Sequence, residues 1–218
     1  RYLFMDLAQE RLEGIKDSEM LHRNEQRIRN GFVRYMSNLS ARDVVISTDA
    51  DEVLLRGRIR PLIWALKIWP TRTPFSFTLS LDQFLYFINL HWKNSGFYGP
   101  TVSHAGFFLK QESPQWRYGG KRLWRSFGSH FSWVMTTEEM VQKILSYAHR
   151  IENEKFADQK LLEEARLNRV YIFGPEKNID FIEIEHFSSF NYPKSLMSAR
   201  EFLDDDLVIN RDRFWSGY

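Results

Sequence analysis

The run DVVISTDADE, residues 43–52, decides how this chain folds. Its first half, DVVIS, is rich in β-branched apolar residues, which is typical of a strand buried in a sheet. Its second half, TDADE, is polar and acidic and predicts a turn where the strand ends. Ligands of open α/β sheets bind beyond the carboxyl ends of the strands, so this turn is the first candidate for a functional site.

Two acidic side chains of this turn, those of Asp49 and Asp51, are two positions apart. If the backbone stays extended there, both carboxylates point to the same side, because side chains of an extended chain alternate. Two such oxygens bind a hard divalent cation such as Mg²⁺ or Mn²⁺, which in turn can hold a diphosphate. The alternative interpretation is that the segment is only a polar turn that binds no metal. For Glu52 the alternative is a structural ion pair with Arg56 or Arg58.

The rest of the chain alternates between helical and strand patterns, which favours an α/β fold. Apolar residues at helical spacing predict helices over residues 19–39, 58–67, 136–149, 158–168 and 194–203. Short apolar runs predict strands, the second of them long or folded into a hairpin, over residues 43–47, 74–88, 121–127, 170–174 and 181–187. Thr136 and Glu139 form a capping-box pattern, and Pro61 is expected in the first turn of its helix.

The composition fits one globular domain. The chain has 218 residues, of which 43% are hydrophobic and 27% charged. The 30 Lys and Arg nearly balance the 28 Asp and Glu, so the net charge of +2 gives no field that would attract nucleic acid. The absence of cysteine excludes disulfides, thiolate metal sites and a cysteine nucleophile. The best apolar run, residues 59–69, contains Arg60 and Lys67 and is far shorter than the about 20 residues of a membrane span.

One class of enzyme that uses such an acidic turn is the phosphatase of haloacid-dehalogenase type. Its motif D-x-D-x-[TV]-L fits residues 49–54, with Asp49 as the nucleophile and Asp51 as the acid/base. The class also needs a lysine and a second acidic motif after another strand. Residues 204–206 supply three aspartates, but no convincing apolar strand or glycine precedes them, and a solvated helix end is their other interpretation.

Three blocks of sequence carry a wider resemblance. Residues 21–53 combine a helix of E-x-x-Q-R-like pattern with a strand that ends in D-x-D-E. Residues 127–149 resemble a G-W-H-x-S-W block followed by a helix with Glu and Lys; the matching residues are His130, Ser132, Trp133, Glu138 or Glu139, and Lys143. Residues 192–203 resemble a closing P-K-x-L helix. In this order and spacing the blocks are similar to glycosyltransferase family 17, over about residues 23–207.

The chain departs from the family pattern at two places. Val53 and Leu54 stand where family members continue with Ile-Pro, and Ser129 stands where they have Trp before the histidine. Members of the family also have upstream sequence that includes the first nucleotide-binding strand and often a membrane anchor. We therefore expect such a strand and anchor to precede these 218 residues.

The resemblance implies an α/β fold of GT-A-like type, a nucleotide-sugar transferase core with a mixed central sheet flanked by helices, and residues 1–218 as a single catalytic domain. It implies an inverting transfer of N-acetylglucosamine from UDP-GlcNAc to a mannose of a glycoprotein N-glycan, with Mn²⁺ or Mg²⁺ as cofactor. It implies the Golgi lumen as location, in a type II membrane protein whose anchor lies outside this chain. A non-catalytic glycan-binding relative is the alternative.

The resemblance, together with this chemistry, suggests which residues bind the metal and the substrate. The residues expected to hold the metal are Asp49, Asp51 and His130. The residues expected to contact substrate are Gln26, Arg27 and Trp133. The histidine is expected in a turn after the strand at 121–127, and its alternative is a hydrogen-bonded structural role. The alternative for the two helix residues is a solvated helix face, and the alternative for the tryptophan is a place in the core rather than stacking on a sugar ring.

An inverting transfer in one displacement also needs a base that deprotonates the attacking hydroxyl. Glu52 is the residue nominated for this role. Glu138, Glu139 and Asp158 are further candidates, although Glu139 has an alternative role in the capping box.

Overall fold

A mixed sheet flanked by helices forms the part of the chain that the computed structural model describes, which comprises residues 20, 23, 26–27, 30–31, 36, 38–68, 76–92, 97–110, 120–146, 150–173 and 181–183. Its strands are β1 (Val44–Ser47), β2 (Glu52–Leu54), β3 (Ser76–Leu85), β4 (Leu90–Trp92), β5 (Phe97–His104), β6 (Lys121–Ser132) and β7 (Phe181–Glu183). Its helices are α1 (Arg56–Ile68), α2 (Ala105–Phe108), α3 (Thr137–Ser146), α4 (Arg150–Asn153) and α5 (Gln159–Leu167), with a 3-10 turn at Glu154–Phe156. The predicted α/β class with a mixed central sheet is confirmed.

Strand β3 lies at the centre of the sheet. β6 pairs with it in parallel along one edge, and β5 and β4 pair with it in antiparallel orientation on the other. β1 extends the sheet beyond β5, β7 extends it beyond β4, and β2 extends it beyond β6. Because β3 has neighbours on both edges and packing on its faces, its residues Leu79 and Leu81 are only 0% and 1% exposed.

The link between β1 and β2 shows that the sheet curls strongly. The segment Thr48–Asp51 connects these strands, although β5, β3 and β6 lie between them in the pairing order. In a flat sheet the four strand spacings would add up to about 19 Å, whereas the chain from Ser47 to Glu52 reaches at most about 18 Å when fully extended. A reverse turn within the link shortens that reach further. The sheet therefore closes towards itself at the acidic turn.

Two clusters of apolar side chains pack α1, α3 and α5 against the sheet. The first joins Ile59 and Leu66 of α1 to sheet residues Leu79, Leu81, Val102 and Phe127. The second joins α3 and α5 to the end of β3; its members include Leu85, Tyr86, Leu90, Trp133, Met140, Ile144 and Leu162. Full burial of each large apolar side chain contributes about 1.5–3 kcal/mol. The second cluster fixes α3 beside the end of β6, which is where the candidate site lies.

The helices predicted at 58–67, 136–149 and 158–168 are confirmed as α1, α3 and α5, with shifted ends. The described residues from 20 to 31 are helical, in agreement with the first predicted helix. The predicted helix at 194–203 lies outside the described residues. In the described part of the chain, no helix is long and apolar enough to cross a membrane.

The predicted caps are also present. The Thr136 amide donates to Glu139 Oε2 at 2.8 Å, and the Glu139 amide donates to Thr136 Oγ1 at 3.3 Å, which completes the capping box of α3. Asp158 caps α5, since its Oδ1 accepts from the amides of Lys160 and Leu161 at 2.8 and 3.0 Å.

Three local predictions are wrong. The helix α1 begins at Arg56, so Pro61 lies in its interior rather than in its first turn, at the cost of one backbone hydrogen bond. The strand predicted at 121–127 continues to Ser132 as β6. The run predicted as a strand at 170–174 is a turn over its described residues, because its apolar side chains pack into the second cluster.

Candidate functional site

The acidic turn between β1 and β2 is a reverse turn closed at both ends. The amide of Glu52 donates to the carbonyl of Asp49 at 3.1 Å. In return, the amide of Asp49 donates to Glu52 Oε2 at 2.8 Å. The backbone is therefore not extended between Asp49 and Asp51, and the condition on which their carboxylates were expected to point to the same side is not met.

The side chain of Glu52 is a structural part of this turn. It is only 5% exposed, and its second oxygen lies so close to Gly99 of β5 that a Cβ there would overlap it. Arg58, one of the two arginines named as a partner for Glu52, donates from Nη1 to the Ser126 carbonyl at 2.6 Å. The turn contact with the Asp49 amide engages Oε2 of Glu52.

The carboxylate of Asp51 is the centre of the site. Lys143 Nζ of α3 donates to Asp51 Oδ2 at 3.3 Å. His130 Nε2 of β6 lies 3.6 Å from the same oxygen. The backbone of this position is held as well, since the amide of Phe131 donates to the Asp51 carbonyl at 2.9 Å. The turn, β6 and α3 therefore converge on one carboxylate that keeps 31% of its side chain accessible.

These neighbours lower the pKa of Asp51 to about 2. Burial by itself raises this pKa, because it disfavours the charged form. The hydrogen bond and electrostatic interaction with His130, followed by the charge and hydrogen bond of Lys143, outweigh burial and favour the carboxylate. Asp51 is thus a fixed negative charge at neutral pH, which suits a ligand for a cation.

His130 is held by its strand and by an aromatic ring. Its ring stacks on that of Phe97 of β5, with 3.9 Å between centroids and 23° between planes. The residue is 9% exposed, and its buried Nδ1 has no hydrogen-bond partner. The expectation that His130 lies in a turn is wrong, since it is paired with Glu52 inside the β2–β6 ladder. Nε2 remains directed at Asp51.

Trp133 supports the site from the core. It follows the last residue of β6 with a positive φ of 63°, which is uncommon for a bulky residue and turns the chain towards α3. Its side chain is only 5% exposed, so it offers no accessible face for a sugar ring and the core alternative applies. Lys143 Nζ lies over its ring, 4.9 Å from the centroid. Trp133 therefore positions the lysine that contacts Asp51.

Lys143 is the functional side chain to which the sequence assigned no role. Its place in the block at 127–149, which resembles the family pattern, is the feature of the sequence that pointed to it. Its contact with Asp51 spans 92 residues of sequence. That contact depends on the curl of the sheet and on the packing of α3, and neither of these can be predicted from a short sequence motif.

The arrangement provides two donors for a metal, Asp51 Oδ2 and His130 Nε2, 3.6 Å apart. Across the described residues, no three or more His, Cys, Asp or Glu side chains are grouped so as to hold a metal ion. Mg²⁺ is commonly bound through one or two protein ligands, with substrate phosphates and water completing its shell. The residues thus fit a cation that binds together with a diphosphate. Asp49, at the first position of the turn, stays a predicted third ligand.

The other predicted base candidates have structural contacts. Glu139 belongs to the capping box of α3 and Asp158 to the cap of α5. Glu138 Oε1 accepts a hydrogen bond from Gln159 Nε2 at 2.6 Å, which ties α3 to α5.

Gln26 and Arg27 are exposed helical residues, as their solvated alternative anticipates. Their contact with phosphate stays a prediction. The acidic run at 204–206, which the phosphatase interpretation needs, lies outside the described residues.

Comparisons of the chain with protein-family models, with curated proteins and with solved structures find no match. The geometry around Asp51 and the two sequence blocks that supply its neighbours remain the indications of function.

Proposed function

We propose that this chain is the catalytic core of a metal-dependent, inverting glycosyltransferase of GT-A type, similar to glycosyltransferase family 17. The observation that carries the proposal is the meeting of Asp51 with His130 and Lys143. Asp51 comes from the first sequence block and the other two from the second, yet both lie within 3.6 Å of the Asp51 carboxylate. Blocks that were recognised separately in the sequence thus contribute to one site.

In this proposal Asp51 and His130 hold a Mn²⁺ or Mg²⁺ ion, with Asp49 as the predicted third ligand. The ion, when bound, binds the diphosphate of a UDP-sugar and neutralises the charge of the leaving group. The protein contributes a fixed carboxylate, a turn locked by Glu52 and a nearby ammonium group on Lys143. Such preorganised charges stabilise charge that develops during reaction.

The substrates follow from the resemblance: UDP-GlcNAc as donor and a mannose of an N-glycan as acceptor. With Trp133 in the core, the surface that receives the acceptor has to be formed by other residues. The proposed location is the Golgi lumen, as part of a type II membrane protein.

The first test is calorimetric titration of UDP, with and without Mn²⁺, into the full-length protein, so that any upstream nucleotide-binding strand is present. We expect binding that requires Mn²⁺ and that is lost in Asp51→Asn, which keeps the size of the side chain but removes its charge. The matched control is Glu163→Gln, a change of the same kind on the exposed surface of α5. An absence of Mn²⁺-dependent UDP binding by the unmodified chain would contradict the proposal.

One observation favours a second candidate, the phosphatase of haloacid-dehalogenase type. That class needs a lysine at its acidic site, and Lys143 lies 3.3 Å from Asp51. In that case the unmodified chain releases phosphate from a simple aryl phosphate, and Asp49→Asn, which removes the nucleophile, abolishes release. Turnover of the aryl phosphate without Mn²⁺-dependent UDP binding would replace the first candidate by the second.

A further inference from the structure

Lys143 contacts the same oxygen of Asp51 that faces His130 and that would bind the proposed metal. Its Nζ is 3.3 Å from Asp51 Oδ2, the same oxygen that faces His130. A metal held by that oxygen would be bound directly to it. The ammonium group and the ion would then be close neighbours with charges of the same sign, which repel each other. Lys143 therefore competes with the ion for Asp51.

The displaced ammonium group would stay in the site. Lys143 belongs to α3, which Met140 and Ile144 anchor in the core, both at 0% exposure. Its Nζ also lies over the buried ring of Trp133. The attraction between this ring and a cation persists when Asp51 binds the metal instead of the ammonium group. The amine is thus held next to the metal position by contacts that do not involve Asp51.

A diphosphate on the metal would supply the ammonium group with a new partner. A lysine ammonium carries three donors on a flexible stem, which lets it reorient towards phosphate oxygens over a short distance. The side chain is 32% exposed and so faces the solvent side of the site, where a ligand enters.

We propose that Lys143 is an exchangeable counter-ion, paired with Asp51 in the empty site and with the diphosphate once a metal has taken Asp51. This inference rests on the proposed metal and nucleotide site. Its consequence is positive coupling: metal alone binds weakly because it displaces the ammonium group, and metal with diphosphate binds tightly because the ammonium group gains a partner. Coupling of this kind is typically about 5–150-fold.

The test measures Mn²⁺ affinity of the full chain by electron paramagnetic resonance of free Mn²⁺, with and without UDP. In the unmodified chain we expect UDP to tighten Mn²⁺ binding about 10-fold or more. In Lys143→Met, which keeps an apolar side chain over Trp133, we expect tighter binding of Mn²⁺ alone and a smaller gain from UDP than in the unmodified chain, because only the direct contact between metal and diphosphate remains. Lys143→Arg keeps the charge and is expected to retain coupling, and Lys160→Met on the exposed face of α5 is the matched control.

The possible failures are distinguishable. If the unmodified chain binds Mn²⁺ and UDP together but Lys143→Met shows the same affinities and the same coupling, the counter-ion role is overturned and the proposed function stands. If the unmodified chain binds neither Mn²⁺ nor UDP, both the counter-ion role and the proposed function are contradicted. A thermal melt of each variant shows whether it is folded under the conditions of the titration.

Discussion

The carboxylate of Glu52 lies against the backbone of Gly99, closely enough that a Cβ on Gly99 would overlap Glu52 Oε1. These residues belong to β2 and β5, which are separated in the pairing order by β3 and β6. The contact is therefore made across the concave side of the curled sheet. The same side holds the stacked rings of Phe97 and His130, so the curl that joins β1 to β2 also assembles the site.

Replacement of Gly99 tests this contact. Gly99→Ala places a methyl group against Glu52 and the ring of Phe97, and we expect a loss of about 1–3 kcal/mol in the free energy of unfolding. Urea denaturation measures the loss. Gly57→Ala is the control, because a Cβ there meets nothing within 4 Å and the residue lies in α1, where alanine stabilises by about 0.5–1 kcal/mol. Equal effects of both changes would contradict the close approach.

Local patterns predicted the acidic turn and its position after a strand, and both are confirmed. His130 was singled out by the family resemblance, and its role in metal binding stays a prediction. The sequence did not predict that β6 continues beyond Phe127 to Ser132, because a glycine such as Gly128 is also typical of the end of a strand. In the fold Gly128 is required for a different reason: a Cβ there would overlap the carbonyl of Val53 on β2. A glycine that allows close approach and a glycine that ends a strand look alike in one sequence.

The run at 170–174 shows the converse problem. Its apolar residues predict a strand, but Ile172 and Phe173 instead pack on the core that surrounds Trp133. Tyr86 holds this segment, donating from its hydroxyl to the Val170 carbonyl at 2.7 Å and accepting from the Ile172 amide at 3.2 Å. Such packing depends on residues over 80 positions away, which local patterns cannot contain.

The capping box of α3 is expected to support the site from a distance. Thr136→Ala removes the hydroxyl that accepts from the Glu139 amide, and we expect a loss of about 1 kcal/mol in the free energy of unfolding. Urea denaturation measures this loss, and Thr136→Ser, which keeps the hydroxyl, is the control. Because α3 carries Lys143, fraying of its first turn should weaken binding only slightly. A complete loss of binding in a folded Thr136→Ala protein would contradict a purely local role.

The low pKa of Asp51 makes its contribution to stability depend on pH. Its folded-state pKa of about 2 lies below the reference value of 3.8, so the stabilisation is fully present above about pH 4 and is lost as the pH falls towards 2. After allowing for solvent screening of a carboxylate that is partly exposed, its size is roughly 1 kcal/mol.

Urea denaturation of the unmodified chain and of Asp51→Asn between pH 6 and pH 3 measures this dependence. We expect the unmodified chain to be more stable at pH 6 and the difference to shrink at pH 3. Glu163→Gln, on the exposed surface of α5, serves as the control. A difference that stayed constant or grew towards acid pH would show that the ion pairs with His130 and Lys143 do not stabilise the fold.

Conservative replacement of Glu52 separates its two possible roles. In Glu52→Gln the side-chain carbonyl can still accept from the Asp49 amide, so we expect the turn, the stability and Mn²⁺-dependent UDP binding to be retained. Glu52→Ala removes the acceptor of that amide from a partly buried site, and we expect a loss of about 1–3 kcal/mol in the free energy of unfolding together with weakened binding. Sugar transfer from UDP-GlcNAc completes the test. Because Glu52 stabilises the turn through its hydrogen bond, we expect the rate of sugar transfer by Glu52→Gln to stay within a few-fold of that of the unmodified chain. A loss of about 10²–10⁴-fold in that rate with intact UDP binding would instead assign Glu52 as the base.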